Sequence, residues 1–168
     1  MTKTLVHVRW WIDRDSPQVL GINLRNYGDA SMSEKYFLSL LSTRGIVCCV
    51  ASKGDNIMGY VIYELFAHRI DILHFEVDPA WQRCGIGTQL FSNLVAKLSE
   101  SDKRSITMKV PESNLRSQLF LKKMGAKVIK IIRKYDESSG ENYFLFSYSP
   151  EYATIDANID CSGVYVDK

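Results

Sequence analysis

The chain is short of net charge. Its 21 lysines and arginines face 19 aspartates and glutamates, a formal +2, too near neutrality to point to nucleic acid or an anionic membrane as a main partner. Long apolar runs are missing too. None approaches the ~20 residues of a membrane span, and the opening Met-Thr-Lys-Thr-Leu-Val-His-Val-Arg lacks the apolar core of a secretory signal. The four cysteines, Cys48, Cys49, Cys84 and Cys161, have no C-x-x-C spacing, and Cys48 and Cys49 sit together in an apolar run. They read as core thiols in a reducing compartment, so a cytoplasmic location is expected. His7, His68 and His74 are scattered, which implies no metal site. There is no internal repeat. What remains is an ordinary globular composition, 46% hydrophobic and 24% charged over 168 residues, enough for one domain with a sizeable core.

Apolar periodicity divides the chain into alternating elements. Strands are predicted over Leu5 to Ile12, Ile46 to Ser52, Ile57 to Phe66, Ile70 to Val77, Ile106 to Val110, Lys127 to Tyr135 and Tyr143 to Ser149. A short helix starts at Ser16-Pro17, and a second opens at Ser31 or Ser33 with Tyr36, Phe37, Leu40 and Leu41 as its buried stripe. A long helix follows Gly85, where Ile86, Leu90, Leu94 and Leu98 recur every fourth residue. The last helix, capped by Ser113 and stopped by Gly125, would turn Leu115, Leu119, Phe120 and Met124 inward. A domain over 1–149 is expected, with 150–168 as an extension that packs on the domain or on a second copy, making a homodimer possible.

The stretch Gln82-Arg83-Cys84-Gly85-Ile86-Gly87-Thr88 joins a strand to the long helix. Two glycines two apart let backbone N–H groups approach a ligand, at the positive end of the following helix where phosphates dock. A dinucleotide fingerprint would need glycine at Leu90, and a Walker loop would need Lys after Gly87, where Thr88 stands. Neither fits. The same loop without a ligand is a strand-to-helix turn that uses glycine for geometry alone.

Gln-x-x-Gly-x-Gly, with its Val77-Asp-Pro lead-in and the later Val110-Pro-Glu-Ser-Asn114 and Met124-Gly125, resembles the GCN5-related N-acetyltransferases, and their RimI-type branch in particular, over roughly residues 5 to 149. That resemblance implies a mixed α/β (α+β) fold. Its central, mostly antiparallel sheet has about seven strands flanked by about four helices. It implies acetyl-CoA as co-substrate, no metal, and direct attack by an amine acceptor, a peptide N-terminus or a small amine. Phe75 and Val77 would bind the pantetheine arm through their backbone. Gln82, Arg83, Cys84, Gly85, Ile86, Gly87 and Thr88 would hold the pyrophosphate, and Asn114 would reach the pantetheine unless it serves only as a helix cap.

The acid–base groups depart from the family's pattern. Lys109 stands where RimI-type enzymes place a glutamate, and Leu121 stands where they place a tyrosine acid. Asp71, eleven residues before Gln82, matches the base position of the histone-acetylating branch; a salt bridge to Arg69 or Lys109 is its alternative role. Strand alternation puts His74 and Glu76 on the face opposite Asp71. Asp71, Glu76 and Lys109 are the candidate catalytic residues. A non-catalytic relative that binds acetyl-CoA as a sensor or interaction module is the competing reading.

Overall fold

A computed structural model describes residues 4–151. These fall into two compact units, divided between Lys109 and Val110. The expected extension from 150 onward lies outside the described residues apart from Pro150 and Glu151.

The first unit is built on five strands: β1 (His7–Trp10), β2 (Ile46–Lys53), β3 (Asn56–Leu65), β4 (Arg69–Val77) and β5 (Ser105–Pro111), which runs into the second unit. They lie in sequence order, antiparallel except for the parallel β4–β5 pair. Helices α1 (Ser16–Tyr27) and α2 (Glu34–Leu41) cover one face, where Val19, Ile22 and Phe37 close over Cys48, Val50, Tyr60 and Ile62. The other face carries α3 (Ile86–Ser99), whose fourth-residue stripe Ile86, Leu90, Leu94 and Leu98 is buried as the period requires. Ser33 caps α2 by accepting from the Tyr36 amide. Tyr36 itself is 51% exposed, so the inner stripe of α2 is Phe37 with Leu40 and Leu41, and Tyr36 stands outside it.

Gly59 sits where β3 meets both β4 and α3. A Cβ there would lie 2.8 Å from the Glu76 carbonyl oxygen and 3.3 Å from side-chain atoms of Ile86 and Leu90. A glycine inside an apolar strand marks such an approach. Gly59→Ala is expected to destabilise the protein by roughly 1–3 kcal/mol, the usual cost of overpacking. Urea unfolding checks it; an unchanged midpoint would contradict the contact.

The second unit holds α4 (Leu115–Lys123) and the antiparallel pair β6 (Lys127–Ile132) and β7 (Tyr143–Tyr148). With these, the mixed α/β fold of seven strands and four helices is complete. Here the sequence reading needs three corrections. The cap of α4 is Asn114, which accepts from the Ser117 amide, rather than Ser113. Leu115 and Leu119 are 60% and 58% exposed, while Leu121 is 2% exposed. Phe120 and Met124 of the predicted stripe are half-buried, so the stripe is corrected in part, from Leu115 and Leu119 to Leu121; both sets keep a helical period, and a period alone cannot choose between them. Finally, β6 ends at Ile132 because Lys134, at φ 49°, turns the chain before Tyr135.

Candidate active site

The loop from Gln82 to Thr88 is reached through a tight turn. Asp78 accepts from the Ala80 amide at 2.9 Å, forms an ion pair with Arg25 of α1, and donates its own N–H to the Met58 carbonyl at 2.9 Å. Gln82 then folds back, its Nε2 donating to the Val77 carbonyl at 3.2 Å and to Asn26 Oδ1 at 3.4 Å. Arg83 and Gly85 both take positive φ, 66° and 82°. For exposed Arg83 that conformation is strained, and residues held this way gather where a loop is shaped for a ligand.

Gly85 starts α3 with no side chain capping it, and the first bond within the helix runs from the Gln89 amide to the Gly85 carbonyl at 3.2 Å. The opening turn therefore presents N–H groups at the positive end of a 14-residue helix, the donor set that a phosphate needs. Gln89 also ties the loop to the start of the chain. Its amide donates to the Thr4 carbonyl at 2.6 Å and accepts from the Val6 N–H at 3.2 Å, while the Thr4 N–H donates to the Cys84 carbonyl at 3.1 Å. Nothing in the plain helical position of Gln89 signals this in the sequence.

Strand β4 leads into the loop, and its partnership with β5 is brief. The pairs run only from Arg69 with Ser105 to Ile72 with Met108, and β4 continues to Val77 beyond them. Phe75 and Val77 lie on that continuation. On the β3 side, Ile62 pairs with His74 but Tyr63 pairs with Ile72, so Leu73 is an extra residue, a β-bulge.

The bulge overturns the expected facing. Glu64 pairs with Asp71, Ile62 with His74 and Tyr60 with Glu76, and directly paired residues share a face. Asp71, His74 and Glu76 therefore all lie on the α1/α2 side, because one inserted residue cancels the alternation.

Asp71 is already engaged. Its Oδ1 accepts from Arg69 Nε at 2.8 Å and from the Thr107 hydroxyl, and its Oδ2 accepts from Arg69 at 3.3 Å. Arg69, not Lys109, is its ionic partner. Lys109 is exposed, one residue past the last β4–β5 pair.

Glu76 is 4% exposed. Its Oε1 accepts from Asn23 Nδ2 at 2.7 Å and its Oε2 from Asn26 Nδ2 at 3.3 Å, and the Tyr60 hydroxyl bonds to it as well. Burial holds its carboxyl above the ordinary carboxylate range, against these bonds, which favour the charge. Asn23 Oδ1 in turn accepts from the Met32 amide at 2.6 Å, which fixes the connection between α1 and α2. The Asn23–Asn26 spacing in α1 was the available sign of this network, since two amides three apart share a helix face.

The profile described as the acetyltransferase (GNAT) family matches residues 6–126. The chain belongs to the GNAT acetyltransferase family. No curated protein sequence matches it, while many solved structures do. Three of the similar structures illustrate the GNAT fold. The Escherichia coli ribosomal-protein-S18-alanine N-acetyltransferase is 18% identical at a TM-score of 0.75, covering 96% of this chain and 100% of its own. Ard1 from Thermoplasma volcanium is 19% identical at 0.75, covering 87% and 98%. Arabidopsis thaliana NAA60 in complex with acetyl-CoA is 16% identical at 0.74, covering 86% and 99%. Asn114, assigned to the cofactor by the GNAT resemblance, has its side-chain oxygen in the α4 cap at 3.1 Å from the Ser117 amide. Among the described residues no helix is long and apolar enough to cross a membrane, and no group of three His, Cys, Asp or Glu could hold a metal ion.

Proposed function

We propose that this GNAT protein transfers the acetyl group of acetyl-CoA to a primary amine, by direct attack in a ternary complex. The observation that carries this reading is the uncapped start of α3, delivered by Gln82–Thr88 to the end of a strand whose pairing with its parallel neighbour stops at Ile72 and Met108 while both strands run on. The residues fit the co-substrate: Ile86, Gly87 and Thr88 offer N–H groups to the pyrophosphate, Arg83 adds an exposed cation, and Phe75 and Val77 supply strand backbone for the pantetheine arm. Acetyl-CoA supplies an activated thioester; the protein's part is to hold it, to exclude water and to manage the amine's protons. Asn114 is kept as a cap, with the pantetheine role secondary to it. The RimI-like lead-in and the S18-alanine neighbour support a peptide α-amino group as acceptor, and a small amine is the alternative.

A weakly catalytic acetyl-CoA-binding module is favoured by one observation, the apolar and buried Leu121 at the position of the family's tyrosine acid. Calorimetry with acetyl-CoA, followed by thiol release over a panel of peptides and small amines, separates the readings. Binding with turnover supports the enzyme, binding without turnover supports the module, and no binding removes both. The free thiols Cys48, Cys49 and Cys84 support a reducing, cytoplasmic setting.

Direct attack also fixes the expectation for Cys84. Its Sγ donates weakly to the Gln82 carbonyl at 3.6 Å. Cys84→Ala should keep turnover within about threefold of wild type, since it removes no general acid–base group of the ~10²-fold class. Mass spectrometry that trapped an acetylated Cys84 during turnover would overturn the direct route.

A further inference from the structure

The chain lacks the glutamate and tyrosine that its relatives' pattern uses for proton transfer, and the groups proposed from the sequence are committed elsewhere. Asp71 is held by Arg69 and Thr107. Glu76 is enclosed by Asn23, Asn26 and Tyr60. Lys109 is exposed, one residue past the last β4–β5 pair. One titratable side chain on the same face of β4 has none of these ties.

We propose that His74 accepts the proton of the incoming amine. The proposal rests on the acetyltransferase reading above. Its first support is the bulge. Without the extra residue at Leu73, His74 would share a face with Ile70 and Ile72 and point towards α3; with it, His74 turns to the α1/α2 face. The turn happens two residues beyond the last β4–β5 pair, on the stretch of β4 assigned to the co-substrate. The second support is the ring's state. Its side chain is 26% exposed and makes no hydrogen bond among the described residues. Its Nδ1 lies 3.9 Å from Glu76 Oε1, and the Tyr36 ring of α2 meets it edge-on at 6.5 Å between centroids. The ring's hydrogen-bonding capacity is thus left for an amine or a bridging water.

The groups beside His74 are the Glu76 carboxyl on β4 and the Tyr36 ring of α2; around Glu76 in turn stand the Tyr60 hydroxyl of β3 and the neutral amides of Asn23 and Asn26 of α1. Burial pushes the imidazole below its ordinary pKa, so at pH 7 it is neutral and able to accept a proton. Glu76 then stabilises the imidazolium as it forms. The step balances simply. An ammonium acceptor gives one proton to His74, and the neutral nitrogen attacks the thioester carbon. The C–N bond forms and the C–S bond breaks. The thiolate takes the nitrogen's second proton, and His74 later releases its own to solvent.

His74→Gln, which keeps bulk and polarity, tests this against wild type by thiol release between pH 5 and 9, with calorimetry for acetyl-CoA. Turnover should fall about 10²–10⁴-fold, the range of a general base, with acetyl-CoA affinity within twofold. The wild-type loss of activity on acidification, which should set in below the ordinary histidine range because burial lowers this imidazole, should vanish from the H74Q profile. His74→Ala should regain activity with added imidazole. Turnover of H74Q within threefold of wild type, an unaltered acid limb, or a lost affinity for acetyl-CoA would each overturn the proposal. Wild type that binds acetyl-CoA but acetylates no amine would sink the acetyltransferase reading and this one with it, whereas an active wild type with an equally active H74Q sinks this one alone.

Discussion

Gly87→Glu should weaken acetyl-CoA binding by at least about 100-fold, the equivalent of about 2.7 kcal/mol. The substitution places a carboxylate in the first turn of α3, where the opening N–H groups would face the pyrophosphate. Two charges about 4 Å apart repel by about 4 kcal/mol at an effective dielectric of ~20. Gly87 is partly exposed, so solvent and salt remove part of that, and the 100-fold figure already allows for it. Backbone strain does not contribute, because the positive φ of the loop belongs to Arg83 and Gly85 and not to Gly87. Gly87→Ala is therefore the control: it adds a methyl group without charge and should cost much less affinity. Calorimetry reads both, with a thermal melt to confirm the fold. A G87E protein that melts like wild type and binds acetyl-CoA within twofold of it would remove the loop from the co-substrate site.

The strand-to-helix geometry of the loop was legible because its signals are local. Two glycines, a lead-in turn and a fourth-residue apolar stripe all lie between Val77 and Leu98, and each constrains the backbone directly. The long helix emerged with its buried face intact for the same reason. What escaped the sequence depends on contacts between distant segments. The bulge at Leu73 is set by how β4 pairs with β3, and no residue type within His-Phe-Glu announces it. One inserted residue moved His74 and Glu76 to the face of Asp71 and changed which groups can meet an acceptor. The clamp by Gln89 joins residues 83 and 85 apart in sequence. In α4 the helix was correct and the stripe only in part: Phe120 and Met124 are half-buried, but Leu121 is buried in place of Leu115 and Leu119, a choice that helical period alone does not make on nine residues. Asp71, the base expected by counting back from Gln82, stands at the expected register but spends its oxygens on Arg69 and Thr107.

Glu76 offers the second large effect, on stability. Glu76→Ala leaves Asn23 Nδ2, Asn26 Nδ2 and the Tyr60 hydroxyl without their shared acceptor. Buried groups left unsatisfied cost about 1–3 kcal/mol each. Asn23 keeps its 3.2 Å bond to the Tyr60 oxygen and Asn26 its bond to the Val77 carbonyl, so the sum is nearer about 3 kcal/mol than the maximum. Glu76→Gln asks a different question. Burial raises the Glu76 carboxyl above its unfolded value, so the native state holds that proton more tightly than the unfolded chain does. Between the unfolded value of about 4.3 and the raised native one, the native state binds more protons, and stability falls as pH rises. The group thus stabilises most at low pH and loses that contribution as it ionises. Glutamine carries no such dependence. It also presents an amide N–H₂ where Asn26 donates, a penalty of fixed size at every pH. Urea unfolding of wild type and E76Q from pH 4 to pH 8 should therefore show the variant gaining on wild type as pH rises, whatever its offset at pH 4. A gap that stays constant across the range would mean that burial does not shift this carboxyl. An E76A protein within 1 kcal/mol of wild type would mean that the Asn23–Tyr60–Asn26 network does not hold α1 to β4.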